Sequence, residues 1–315
     1  MARPSKWMMG VDPDKPVSRA ARRAIESRLE VVESYLPLAA KQSHRDVEYV
    51  HQLRVAARRA GAAVDLYGPW LPPKRRRWLK RQLRRIRRAA GEARDLDVMQ
   101  QRLAESISQC DAAVIALLGE IETRRRRAQR PLRKIHRRMK KRRFGRRWRR
   151  LVRRIRPRGN PAEARRAFGP WAHAALASAV ADFFSEAEQL DASSLQAMHR
   201  FRIAGKRLRY TIELLAVALD DSLRRTAYPM VEQLQDHLGD LRDHIAAAAF
   251  LESALHESDK TAWRDRLAEL HQCERHAAEE SRQRFVRWWN EGAKEELRRC
   301  FDELIDLPSH ERKTA

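Results

Sequence analysis

Glycine and proline are scarce in this chain, at 11 and 13 of 315 positions. A protein of many short strands and tight turns needs more of both, so the composition favours long helices. Cysteine is scarcer still. Cys110, Cys273 and Cys300 form no CxxC pair and no metal-ligand spacing, which excludes a disulfide framework and suits a reducing cytoplasm. Long apolar runs are missing as well. No segment approaches the roughly 18 uncharged residues of a membrane span. No apolar stretch follows Met1–Trp7, as it would in a secretory leader. The expectation is a cytoplasmic protein with no membrane partner. Acid is absent from one whole stretch: residues 124–158 hold 21 Lys/Arg in 35 positions and no Asp or Glu.

What is present in excess is positive charge. The net charge is +25 and the pI is near 11.0. Residues 1–158 carry 45 Lys/Arg against 15 Asp/Glu, a net of +30, and residues 159–315 carry 22 against 27, a net of −5. Such an excess repels itself in a compact state, so a polyanionic partner is expected. A hydrophobic content of 43% is enough for a core.

The chain repeats itself at an interval of 148 residues. Val50-His51-Gln52-Leu53-Arg54-Val55-Ala56-Ala57-Arg58-Arg59 is matched by Met198-His199-Arg200-Phe201-Arg202-Ile203-Ala204-Gly205-Lys206-Arg207. Forty-three residues beyond each histidine stand Arg94, in Gly91-Glu92-Ala93-Arg94-Asp95, and Arg242, in Gly239-Asp240-Leu241-Arg242-Asp243. An internal duplication of one helical unit is the simplest reading.

Hydrophobic spacing predicts helices near 17–41, 45–68, 73–108, 111–141 and 144–156, and again near 161–188, 194–219, 221–256, 259–290 and 292–306. Gly68-Pro69-Trp70-Leu71-Pro72-Pro73 breaks the chain. Residues 156–161 form the linker candidate, and Asp191 or Ser194 is placed to N-cap the helix carrying His199. Met198, Phe201, Gly205, Leu208, Ile212, Leu215 and Leu219 are spaced 3, 4, 3, 4, 3, 4, and Val50, Leu53, Ala57, Ala60, Val64 and Tyr67 follow the same rule. These are bundle seams. The small residues Ala57 and Gly205 admit a close neighbour. The following helix repeats the seam as Leu79, Leu83, Ile86, Ala90 and Ala93, and as Ala227, Val231, Leu234, Leu238, Leu241 and Ile245. The expected domains are an extension at 1–16, repeats at 17–157 and 158–306, and a tail at 307–315.

Cations lie beside the seams. His199, Arg202, Lys206 and Arg209 each follow a seam residue, about 100° further round the helix. His51, Arg54 and Arg58 do so in the first copy, and Lys80, Arg84, Arg87 and Arg94 flank the next helix. Its counterpart in the second copy holds Tyr228, Glu232, Gln235 and Arg242. A basic stripe is often only a solvated face. Residues 200–209, however, hold five Lys/Arg and no acid inside the half whose net charge is −5. Leu132, Ile135 and Met139, then Trp148, Leu151, Val152 and Ile155, give the run at 124–158 a helical apolar face. It is expected to dock as helix and not to hang as a tail.

Arginine binds phosphate oxygens through a planar fork and keeps its charge at any relevant pH. His51 and His199 are read either as phosphate hydrogen-bond donors or as side chains that orient their helix. Arginine neighbours oppose a metal ion, and HExxH is absent, so no metal and no cofactor are expected. Asp95, Asp97, Asp240 and Asp243 are expected to pair with Arg94, Arg242 or a histidine, in preference to acid–base work or Mg²⁺ binding. The chain lacks a Walker A loop, the Arg-His-Gly of histidine phosphatases, and any helix-turn-helix, RRM or KH pattern.

The paired His-x-x-Arg-x-x-x-Arg/Lys-Arg helices, each followed by Gly-x-x-Arg-Asp, resemble the CHAD family, an all-helical domain. The resemblance spans about residues 17–300. It implies two pseudo-symmetric antiparallel four-helix bundles, a basic central channel, and binding of inorganic polyphosphate, often at polyphosphate granules. It also marks His51, Arg54, Arg58, Arg59, Arg94, His199, Arg202, Lys206, Arg207, Arg209 and Arg242 as contact candidates, beside Lys80, Arg84 and Arg87 from the stripes. Ala60, Gly61 and Ala62 depart from the pattern, standing where the second copy has Leu208, Arg209 and Tyr210. The ExExK strand signature of the CYTH domains often fused to this family is absent. The leading expectation is a non-catalytic polyphosphate binder. Nonspecific DNA or RNA binding is the alternative, and a polyphosphatase stands behind both.

Overall fold

The computed structural model describes residues 5–105, 112–156, 166–257 and 261–306. Two compact units divide the chain, Met1–Phe168 and Gly169–Ala315. The first contains helices α1 (Val17–Lys41), α2 (Glu48–Leu66), α3 (Pro73–Ala89), α4 (Gly91–Glu105), α5 (Ala112–Lys141) and α6 (Phe144–Val152). The second contains α7 (Phe168–Glu188), α8 (Leu195–Leu215), α9 (Tyr228–Glu257), α10 (Thr261–Trp288) and α11 (Glu291–Asp306). Among the described residues there is no strand, only an isolated bridge between Pro16 and Ala167. No described helix is long and apolar enough to cross a membrane.

The seams account for the packing. Val50, Leu53, Ala57, Ala60 and Val64 on α2 and Tyr67 just beyond it are fully buried, as are Phe201, Leu208, Ile212 and Leu215 on α8. Leu79, Leu83 and Ile86 on α3 and Val231, Leu234 and Leu238 on α9 meet them from the next helix. Each large aliphatic buried in this way contributes roughly 1.5–3 kcal/mol. Leu219 and Ile245, at the ends of the expected seams, are only half-buried. In the second unit Phe183 stacks on Phe201 at 5.2 Å, and Trp289 lies 5.4 Å from Phe201.

Several helix boundaries differ from the sequence expectation. The helix expected over 73–108 is interrupted at Ala90. There the Arg87 carbonyl accepts a hydrogen bond from Arg54 Nη1 at 3.4 Å, so a guanidinium from α2 sits in the last turn of α3. The helix expected from 161 is described only from Phe168. Arg166 and Ala167 run extended because they serve the start of α1: Val17 N–H donates to the Arg166 carbonyl at 3.1 Å, and Phe168 N–H to the Lys15 carbonyl at 2.9 Å. That satisfies a donor at a helix N-terminus, where the helix supplies no acceptor. The expected linker at 156–161 lies outside the described residues, apart from Arg156. A π turn, Leu223–Ala227, precedes α9, and α8 ends at Leu215 in a 3₁₀ turn. Of the two cap candidates, Ser194 is the one that caps α8; its Oγ accepts from Ala197 N–H at 3.3 Å.

Over its described part, through Arg156, the run at 124–158 docks as the sequence predicts. Leu132, Ile135 and Met139 bury one face of α5, and Trp148, Leu151 and Val152 one face of α6. Arg143, in left-handed backbone (φ 51°), turns the chain between them.

Candidate anion-binding site

Helices α2, α3 and the start of α4 enclose an open groove of about 470 Å³, lined by Arg54, Arg58, Arg84, Arg87, Arg88 and Gly91. The α2 arginines stand beside a buried seam, so Arg54 and Arg58 are half-buried. Arg84, Arg87 and Arg88 occupy the open face of α3 and are exposed. No carboxylate lines the groove. Among the described residues, Arg58, Arg84 and Arg88 have no carboxylate partner. Arg54 is partly committed: Asp95 Oδ1 lies 3.9 Å from its Nη2 at the rim. The groove therefore concentrates guanidinium groups at Coulomb range, with no carboxylate in its lining.

The same contact crowds the first glycine of the Gly-x-x-Arg-Asp repeat: a Cβ on Gly91 would stand 3.2 Å from Arg54 Nη1, whereas one on Gly239 would meet Arg202 Nη2 at 3.9 Å, an ordinary contact. Arg202 Nε donates to the Leu238 carbonyl at 3.1 Å. In both copies the arginine of His-x-x-Arg lies across the glycine of the next element and binds backbone there.

The stripe of the second unit is tied down more tightly. Arg209 lies 4.0 Å from Glu213, and the buried Glu213 accepts a hydrogen bond from Tyr228 OH at 3.1 Å. Burial works against the Arg209 cation, but Tyr210, Glu213 and Tyr228 outweigh it and hold its pKa above the ordinary value. Arg242 pairs with Asp243 at 3.0 Å. Lys206 is half-buried; His199 and Arg207 are exposed.

Of the first-copy candidates, Arg54, Arg58, Arg84 and Arg87 are thus brought together. Lys80 is not among the groove's lining residues and forms a close ion pair with Asp65, which also pairs with Arg76 at 3.5 Å. His51, Arg59 and Arg94 are half-buried outside the lining. The sequence reading missed Arg88. It follows Arg84 by one helical turn, so the alternative four-residue step along α3 was the available signal. Asp97 also departs from expectation. Its hydrogen-bonded partner is Arg125, from the basic run, at 2.7 Å and buried, while Arg94 acts on it through charge; Arg125 also donates to the Ser43 carbonyl at 3.1 Å. Burial pushes the Asp97 carboxyl up, against the pull of Arg125. No group of His, Cys, Asp or Glu among the described residues could hold a metal ion.

A family model described as the CHAD domain matches residues 23–252. Among solved structures, the CHAD domain from the plant Ricinus communis aligns with a TM-score of 0.65 and 19% identity, covering 98% of both chains. PptA from Streptomyces chartreusis aligns with a TM-score of 0.65 and 16% identity, over 87% of this chain and 99% of its own. A search of curated proteins finds no match. At these identities the two structures speak for the fold alone.

Proposed function

The chain belongs to the CHAD domain family, which is linked to polyphosphate-related proteins, and from that premise we propose that it binds inorganic polyphosphate without turning it over. The arginine groove of the first unit is the principal site, and the α8 stripe carrying His199, Arg202, Lys206 and Arg207 is the secondary one. The observation that carries this reading is the groove lining: five arginines and a glycine, with no carboxylate, imidazole, thiol or hydroxyl. Guanidinium forks suit phosphate oxygens, and their charge does not depend on pH. A lining with no group that could exchange a proton or attack phosphorus supports binding in preference to hydrolysis. A row of cations also suits a flexible chain of phosphates, which makes many weak contacts in place of one strong one.

The test compares two double variants of equal charge. Arg84→Glu with Arg87→Glu alters the groove; Arg146→Glu with Arg150→Glu alters exposed positions on α6. Polyphosphate affinity is expected to fall about tenfold or more in the first and less than about threefold in the second. Equal losses would show that overall charge alone holds the ligand. Single-stranded RNA displacing polyphosphate equally well at matched phosphate concentration would favour nucleic acid, and steady release of orthophosphate would make the protein an enzyme.

A further inference from the structure

Helix α3 is cationic beyond the groove. Arg84 and Arg88 line the groove, whereas Arg85, exposed and one turn from Arg88, does not. Arg85 reaches the end of α5 instead, where it and Arg142 crowd Arg138 and push its pKa down. Aromatic contacts hold the helices in this arrangement. α3 packs on α5, and its Trp78 lies 6.0 Å from Phe144 at the head of α6, with the Arg147 guanidinium 4.6 Å over the Trp78 ring.

No acid offsets this crossing from within. α3 carries no Asp or Glu, and α5 carries none after Glu122. Arg85 donates to Gln82 Oε1 at 3.3 Å. Among the described residues, neither Arg85 nor Arg138 nor Arg142 has a carboxylate partner. Neighbouring α6 shows the usual arrangement, with Arg149 paired to Glu33 of α1 at 2.7 Å. Surfaces ordinarily intersperse the two signs, so two arginines crowded around a third are unfavourable until an anion arrives.

We propose that a phosphate chain seated in the groove crosses α3 and continues on the end of α5 under Arg85, Arg138 and Arg142, so that the protein selects long polyphosphate over short. This rests on the groove being the principal polyphosphate site. An α-helix with its side chains is about 10–12 Å across, so tripolyphosphate seated in the groove does not reach Arg138. A longer chain does, and it makes that second contact at high effective concentration.

Isothermal titration of the full chain with tripolyphosphate and with long-chain polyphosphate, each across a salt series, tests the proposal. The long chain is expected to bind more tightly, with a slope of log affinity against log salt steeper by about two or more. A long chain also offers any single site more registers, so the variants decide. Arg138→Gln with Arg142→Gln should lower the ratio of long-chain to tripolyphosphate affinity by about tenfold and flatten the long-chain slope by about two. Arg127→Gln with Arg130→Gln removes the same charge from exposed positions about 17 Å back along α5, and should change that ratio by less than about threefold. Equal ratios in the two variants, or a ratio unchanged by Arg138→Gln with Arg142→Gln, overturn the track and leave the groove standing. Tripolyphosphate binding lost in that variant would place the short ligand on α5 and overturn it too. Tripolyphosphate binding that survives Arg84→Glu with Arg87→Glu, or no binding of either ligand, overturns the groove as the site and the track with it.

Discussion

At residue scale the two copies diverge where one side chain turns inward. Gly205 and Ala57 occupy the same repeat position. A Cβ on Gly205 would run into Gln235 Nε2, because Gln235 is buried and donates to the Arg202 carbonyl at 3.4 Å. The repeat partner of Gln235 is Arg87, an exposed side chain that lines the groove, and Ala57 keeps its methyl group. The spacing of small residues was legible in the sequence; the reason for glycine in one copy was not, since it depends on where a glutamine 30 residues away folds. Arg125 shows the same limit. It stands in a run of four arginines, yet it alone of the four is buried, against Asp97. Replacing it with methionine removes one partner of a buried pair, which costs about 3–5 kcal/mol near neutral pH. Without Arg125 the Asp97 pKa rises further above its ordinary value. The folded state then holds the proton more tightly than the unfolded state, so stability falls as pH rises through the folded pKa. Urea unfolding should therefore show a smaller penalty at about pH 4 than at about pH 7. A penalty independent of pH would assign the loss to packing alone.

At the scale of elements, the seams were readable because a buried helix face leaves a periodic mark. Helix ends were read less well. Ala90 and Arg166–Ala167 are set by contacts from distant segments, which periodicity does not report. The conspicuous His-x-x-Arg pattern divides in the same way. Its arginine joins α8 to α9 through the Leu238 carbonyl and α2 to α3 through the Arg87 carbonyl. Charge alone does not distinguish such a tie from a ligand contact. Arg202→Leu is expected to lower stability by about 1.5–3 kcal/mol, the range for hydrogen bonds to charged groups. The exposed Arg84→Gln should stay within about 0.5 kcal/mol while still weakening polyphosphate. Thermal unfolding of the two variants, beside binding, separates tie from contact; equal stability would mean that Arg202 is not holding the helices.

For the whole molecule, charge and fold divide differently. The first unit carries 47 Lys/Arg against 16 Asp/Glu, a net of +31, and the second carries 20 against 26, a net of −6. The excess was plain from composition, but its useful part was not. Most of the basic run coats the outer faces of α5 and α6, where Arg85 and Arg142 crowd Arg138 and push its pKa down. The groove instead draws its cations from α2, whose arginines the repeat had singled out, and from α3, whose counterpart in the second copy does not keep them. Binding measured across a salt series should weaken steeply, and each groove arginine replaced by glutamine should make the slope of log affinity against log salt shallower by about one. An unchanged slope in Arg88→Gln would remove that residue from the contact set.

The short bridge between Pro16 and Ala167 bears on how the halves can be handled apart. The first unit finishes its opening helix with Arg166 and Phe168, well past the proline-rich stretch at 157–161 that a sequence reader would cut. A fragment ending at 158 would leave Val17 without its carbonyl and Lys15 without its amide. One ending at Phe168 would keep both, and it is the boundary at which a truncated first unit should be made.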